Sequence, residues 1–82
     1  MPIATWRETL AVNLDAVFYL LRAALPRMQE RGGSAVVIGS IAAFKAFPNH
    51  AAYCASKGAL VGLVRQVAID YGPKIRINLV CP

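Results

Sequence analysis

Tyr53 and Lys57 stand four residues apart, a separation that puts two side chains on one face of a helix about one turn from each other. A fixed ammonium at that spacing favours the phenolate form of a phenol, which makes the pair suited to general acid and base work. Ser40 offers a second hydroxyl. It follows the run Ala35-Val36-Val37-Ile38-Gly39, and open α/β sheets place ligands at the carboxyl ends of their parallel strands. On that placement the Ser40 and Tyr53 hydroxyls meet over one site; a serine standing alone would equally serve to satisfy loop backbone. Asn13 interrupts an apolar stretch, Leu10-Ala11-Val12-Asn13-Leu14. Asparagine is a poor helix former, so it either turns to solvent or needs a polar partner such as a buried water.

The elements that must position these residues alternate helix, strand, helix, strand. Thr5-Trp6-Arg7-Glu8 has the form of a capping box and predicts a helix start. Leu10, Leu14, Val17, Leu21 and Leu25 recur at helical spacing, and Gly32-Gly33 ends the run. Ala35–Ile38 reads as a short strand buried on both faces. Residues 41–50 lack periodicity and contain Pro48-Asn49, which predicts a loop. A second helix spans 51–71, Gly72-Pro73 stops it, and 75–80 reads as a second strand. A strand, a crossover helix and another strand imply a parallel βαβ unit in a layered α/β sheet.

The chain has 82 residues, of which 57% are hydrophobic and 16% charged. A chain of that size buries only about 60% of its unfolded surface, and its apolar share exceeds the usual 45 to 50% or so. Something further is expected to cover the excess, and a larger protein or oligomer fits better than a membrane span or a disulfide-stapled module. The apolar stretch Leu10 to Leu25 is broken by Asn13, Asp15 and Arg22, against the roughly 20 apolar residues that a spanning helix needs, so no membrane segment is expected. No secretory leader is expected either, since residues 1–8 lack its basic, apolar and cleavage regions. Cys54 and Cys81 show neither metal-ligand spacing nor a disulfide framework, so no metal is expected; free thiols suit a reducing, cytoplasmic setting. The net charge of +5 comes from scattered basic residues without a run or an aromatic platform, so nucleic acid is not an expected partner.

Ser40, a gap, then Tyr53-Cys54-Ala55-Ser56-Lys57 resembles the active-site signature of the short-chain dehydrogenase/reductase family. Trp6 with Leu10–Leu14, then Ala24-Leu25-Pro26 and Gly33–Ile38, resembles the family's preceding helix and strand, and Ile75–Pro82 resembles the strand that leads to its Pro-Gly corner. The resemblance covers essentially the whole chain. It implies an α/β fold that is part of a Rossmann-like, doubly wound parallel sheet. Residues 1–82 would be the central to C-terminal part of a single NAD(P)-binding domain, truncated at both ends.

Carried over, the resemblance makes Tyr53 the general acid/base and has Ser40 hold and polarise the substrate oxygen. Lys57 would bind the nicotinamide ribose and ease loss of the Tyr53 proton, and Asn13 would anchor a relay water. Pro82 would touch the nicotinamide side of the cofactor, with Tyr53 and Lys57 its other contacts. It implies NAD or NADP as cofactor and a small alcohol or ketone as substrate. It also implies a homodimer or homotetramer assembled through helices 6–30 and 51–71. The family's glycine-rich pyrophosphate turn has no counterpart in these residues, so the 82 residues alone are expected to be inactive. Gly39 stands where the family commonly has serine, a change expected to be harmless. Phe44 and Phe47, placed in the loop after Ser40, would favour an apolar substrate if they line the pocket. The competing reading is a non-catalytic remnant whose two helices form an association surface.

Overall fold

The computed structural model describes residues 2–82. Helix α1 spans Ile3–Leu10 and passes through a π-helical turn, Ala11–Asp15, into α2, Ala16–Arg31. Strand β1 (Gly33–Ile38), a 3-10 turn (Ile41–Ala43), helix α3 (Ala51–Tyr71) and strand β2 (Ile75–Val80) follow. The expected order of helix, strand, helix and strand is therefore present.

The first helix starts earlier than the capping box predicts. Pro2 occupies the cap in an extended conformation, its carbonyl accepts from Trp6 N–H at 3.2 Å, and no side chain caps the end. A proline has no N–H to leave unpaired and its φ is preset, so the chain enters the helix directly after it and Thr5 falls inside. The far end needs Gly32. Its φ of 76° lies in the left-handed region, its N–H bonds Met28 carbonyl at 2.6 Å, and a Cβ there would meet Lys74 carbonyl oxygen at 2.9 Å. Only glycine combines that conformation with that approach.

β1 and β2 pair in parallel, with Ala35 opposite Ile77 and Val37 opposite Leu79 on one face, Val36 opposite Asn78 and Ile38 opposite Val80 on the other. The first face is the core: Val37, Ile75 and Ile77 are buried there with Leu21, Leu25 and Leu60 from α2 and α3. The second face is open, with Val36 61% and Ile38 59% exposed. Within residues 2–82 both long helices pack on the same side of the sheet, so the burial expected on both faces is met on one of them.

The joined helix Ile3–Arg31 is 29 residues long with a mean hydropathy of 1.2 over its most apolar window, enough by length and composition to cross a membrane. That departs from the expectation of no membrane segment, which weighed only the stretch Leu10–Leu25 of a helix expected over 6–30. Its stripe Leu14, Val17, Leu21, Leu25 packs on the core, the pattern of a helix with one face on a sheet.

Candidate active site

Ser40 lies just past the carboxyl end of β1 in an extended conformation, and its Oγ accepts from Ala42 N–H at 3.1 Å, opening the 3-10 turn. Both readings of this serine are compatible with that bond: the oxygen satisfies loop backbone, and its O–H remains available to donate to a ligand. Ala42 is buried, and so is Ala52 on the first turn of α3.

On α3 the Lys57 ammonium lies 5.7 Å from the centroid of the Tyr53 ring, within the range of a cation–π contact. Tyr53 is 36% exposed and Lys57 half-buried. Their helical spacing thus brings a phenol and a cation together at the amino end of α3.

Asn13 sits at the centre of the π-turn, where Ala16 N–H reaches back five residues to Ala11 carbonyl. Such insertions widen a helix by one residue and concentrate at functional sites. The Asn13 Nδ2 donates to Ser56 Oγ at 3.4 Å, and Ser56 Oγ donates to the Tyr53 carbonyl at 2.7 Å. Ser56 has no exposed surface. A polar bridge therefore joins the π-turn to the turn of α3 that carries Tyr53 and Lys57. The sequence reading assigned Ser56 no role; its place between Tyr53 and Lys57 on a buried helix face was the signal that a buried hydroxyl there needs partners.

Pro82 is exposed, two residues beyond β2, and no hydrogen bond or ring contact joins it to the other four among the described residues. Gly39 is tighter than its sequence suggested. A Cβ there would stand 3.0 Å from both Cys81 Sγ and Leu79 Cδ1, so a serine requires those side chains to yield. Cys54 and Cys81 are free thiols. An open cavity of about 550 Å³ runs between α1, the π-turn and the start of α3, with Asn13, His50 and Tyr53 in its wall.

A family model described as Enoyl-(Acyl carrier protein) reductase matches residues 1–82. The chain belongs to the short-chain dehydrogenase/reductase family. Among its members, the protein named inactive 2-(S)-hydroxypropyl-CoM dehydrogenase 2 of Xanthobacter autotrophicus is 48% identical, over 98% of this chain and 36% of its own length. Dehydrogenase/reductase SDR family member 4 of Mus musculus is 40% identical, over 94% of this chain and 28% of its own. Among solved family structures, carveol dehydrogenase from Mycobacterium avium in complex with NAD is 35% identical with a TM-score of 0.95, covering 100% of this chain and 31% of its own. The ligand-free aldohexose dehydrogenase of Thermoplasma acidophilum is 38% identical with a TM-score of 0.96, over 100% and 32%. The α/β fold expected from the sequence, part of a Rossmann-type parallel sheet, is thus established. The chain spans about a third of the length of the relatives it matches. Three of the four names state substrates, each a different one, and one of the four says inactive.

Proposed function

We propose that the native protein transfers hydride between NAD or NADP and a secondary alcohol or ketone, with Tyr53 as the acid/base. The observation that carries this reading is the Tyr53–Lys57 pair, a phenol ring with an ammonium 5.7 Å from its centroid, in a chain of a dehydrogenase family. The donor set suits a nicotinamide riboside: the Lys57 ammonium and Tyr53 hydroxyl can bond ribose hydroxyls, and Pro82 offers an apolar surface beyond β2. When bound, the cofactor supplies the hydride acceptor or donor.

In alcohol oxidation the Tyr53 Oη takes the proton of the substrate hydroxyl, and in ketone reduction it returns one. Ser40 O–H donates to the same substrate oxygen, its own oxygen being held by Ala42 N–H. The Lys57 cation stabilises the phenolate that forms. Asn13 spends Nδ2 on Ser56, and its side-chain carbonyl oxygen can still accept from a water that passes protons between Lys57 and solvent. Residues 1–82 form the central to C-terminal part of one dinucleotide-binding domain in this reading, the setting is cytoplasmic, and the 82 residues alone are inactive.

The test is Tyr53→Phe in the native polypeptide. Loss of general acid/base catalysis lowers kcat by about 10² to 10⁴-fold, while cofactor binding, followed by fluorescence of the reduced nicotinamide, weakens by no more than about tenfold for the one ribose bond lost. Wild-type turnover by the variant would exclude Tyr53 from the chemistry.

A second reading has its own observation. Phe18, Tyr19 and Leu20 are 47%, 62% and 71% exposed, and an open groove of about 670 Å³ between α2 and α3 begins at Phe18 and Tyr19. In this reading the two helices, residues 6–30 and 51–71, are an association surface for a homodimer or homotetramer. The surface serves an active enzyme and a non-catalytic remnant alike; turnover separates them.

A further inference from the structure

Gly39 continues the core face of β1 two residues after Val37, and Cys81 continues that of β2 two residues after Leu79, as the alternation of strand side chains requires. The ladder runs on with them, since Gly39 N–H bonds the Val80 carbonyl at 2.7 Å. Each stands next to a residue that the proposed chemistry uses. Ser40 follows Gly39 in an extended conformation, and Pro82 follows Cys81.

Gly39 does not have a positive φ, so what its missing side chain supplies is room. That room is taken. A Cβ at position 39 would stand 3.0 Å from Cys81 Sγ and 3.0 Å from Leu79 Cδ1, roughly 0.5 to 1 Å inside the ordinary separation of non-bonded heavy atoms. The two neighbours differ in how they yield. Leu79 Cδ1 is the far end of a side chain that turns about two bonds. Cys81 Sγ is one bond from its own Cβ, and Gly39 beside it is buried, so relief there comes from parting the ends of the strands.

We propose that Cys81 is a positioning residue, whose thiol packs against the bare backbone of Gly39 and thereby fixes where Ser40 stands relative to Tyr53 and the cofactor. The sulfur acts through its volume and takes no part in the chemistry. The assignment rests on the roles proposed above for Ser40 and Tyr53, whose hydroxyls share one substrate oxygen. Hydrogen bonds between oxygens span only about 2.5 to 3.0 Å, so a shift of Ser40 by roughly 0.5 to 1 Å takes one of the two out of reach. Misplacement on that scale lowers a rate by up to about a hundredfold.

The test moves one carbon-sized group between the two strands of the native polypeptide. It follows NAD- or NADP-linked oxidation of cyclohexanol or isopropanol, whichever wild type oxidises faster. Gly39→Ala overfills the contact and Cys81→Ala empties it, so each single variant is expected to lower kcat, by about tenfold or more for Gly39→Ala. The double variant sets a methyl against the space the sulfur leaves and is expected to return kcat to within about threefold of wild type. Cys81→Ser keeps an atom at the contact and is expected to exceed Cys81→Ala in kcat. The dissociation constant of the reduced nicotinamide, followed by its fluorescence, is expected to hold in all of them, which a general loss of structure would not allow. Losses that multiply in the double variant, or wild-type kcat in both single variants, overturn the assignment. If Gly39→Ala does not fold, the comparison of Cys81→Ala with Cys81→Ser decides, and equal kcat in those two overturns it. Tyr53→Phe turning over at the wild-type rate sinks the Tyr53 reading instead.

Discussion

Ser56 is a buried polar side chain that contributes to no surface, and its two hydrogen bonds explain why it is there. One comes from Asn13 Nδ2 and the other goes to the Tyr53 carbonyl, so a single hydroxyl sets how the π-turn lies against α3. Replacing it with alanine leaves the Asn13 amide without its acceptor, a loss of about 1 kcal/mol for a bond of this kind. Ser56→Ala in the native polypeptide is expected to lower the unfolding free energy by that amount, read from the shift of the denaturant midpoint at unchanged slope. It is also expected to reduce kcat with KM little changed, because Asn13 loses its fixed position while the groups that hold substrate remain. A fall in KM-dependent binding with kcat preserved would place Ser56 in substrate recognition and argue against the bridge. Gly39 makes the same point from the opposite side. A change that looks harmless in sequence is constrained by Cys81 and Leu79 at 3.0 Å, contacts that arise only when β1 and β2 pair.

Helix α3 carries both chemistry and core, divided by face. Leu60 has no exposed surface and Val64 and Val67 are buried below it, while Tyr53 and Lys57 stand at the amino end. Removing the Leu60 side chain beyond Cβ leaves a cavity in the main cluster, and Leu60→Ala is expected to cost about 2 to 5 kcal/mol, measured by chemical denaturation of the native polypeptide. A loss under about 1 kcal/mol would mean that α2 and the sheet close over the gap. Elements of this kind were legible in the sequence, since α3 at 51–71 and β2 at 75–80 coincide with their predicted spans. Periodicity and the Gly72-Pro73 stop are local signals, and local signals survive folding. The capping box did not form, because Pro2 starts the helix two residues before Thr5 can cap it. The π-turn at Ala11–Asp15 left no mark in the sequence beyond an asparagine in an apolar stretch, because one inserted residue per turn is decided by the fit between helices. The pairing of Tyr53 with Lys57 follows from spacing alone. The Asn13–Ser56 bridge links residues 43 apart, a relation no local pattern carries.

Among the described residues, apolar side chains stay open on the far face of the sheet and on the outer side of α2 once the core is counted. On the sheet, Val36, Ile38 and Val80 are 61%, 59% and 47% exposed. On α2, the Phe18 and Tyr19 rings pack on each other with centroids 5.8 Å apart and Leu20 is 71% exposed. These faces call for different cover. A parallel sheet is stable with layers on both faces, so the Val36 and Ile38 face suits helices of the same fold. The Phe18–Leu20 surface adjoins the α2–α3 groove, and a helix pair with an open groove between its members is the geometry by which two such pairs pack into a four-helix bundle. Placing like charges on that surface opposes self-association through repulsion and desolvation, while the side chains, already exposed, contribute little to the core. The double variant Tyr19→Glu, Leu20→Glu is therefore expected to shift the native polypeptide to a smaller assembly in sedimentation velocity, with its far-ultraviolet circular dichroism unchanged. An unchanged sedimentation coefficient across a hundredfold dilution would remove this face from the interface and leave its apolar exposure to be explained by a different partner.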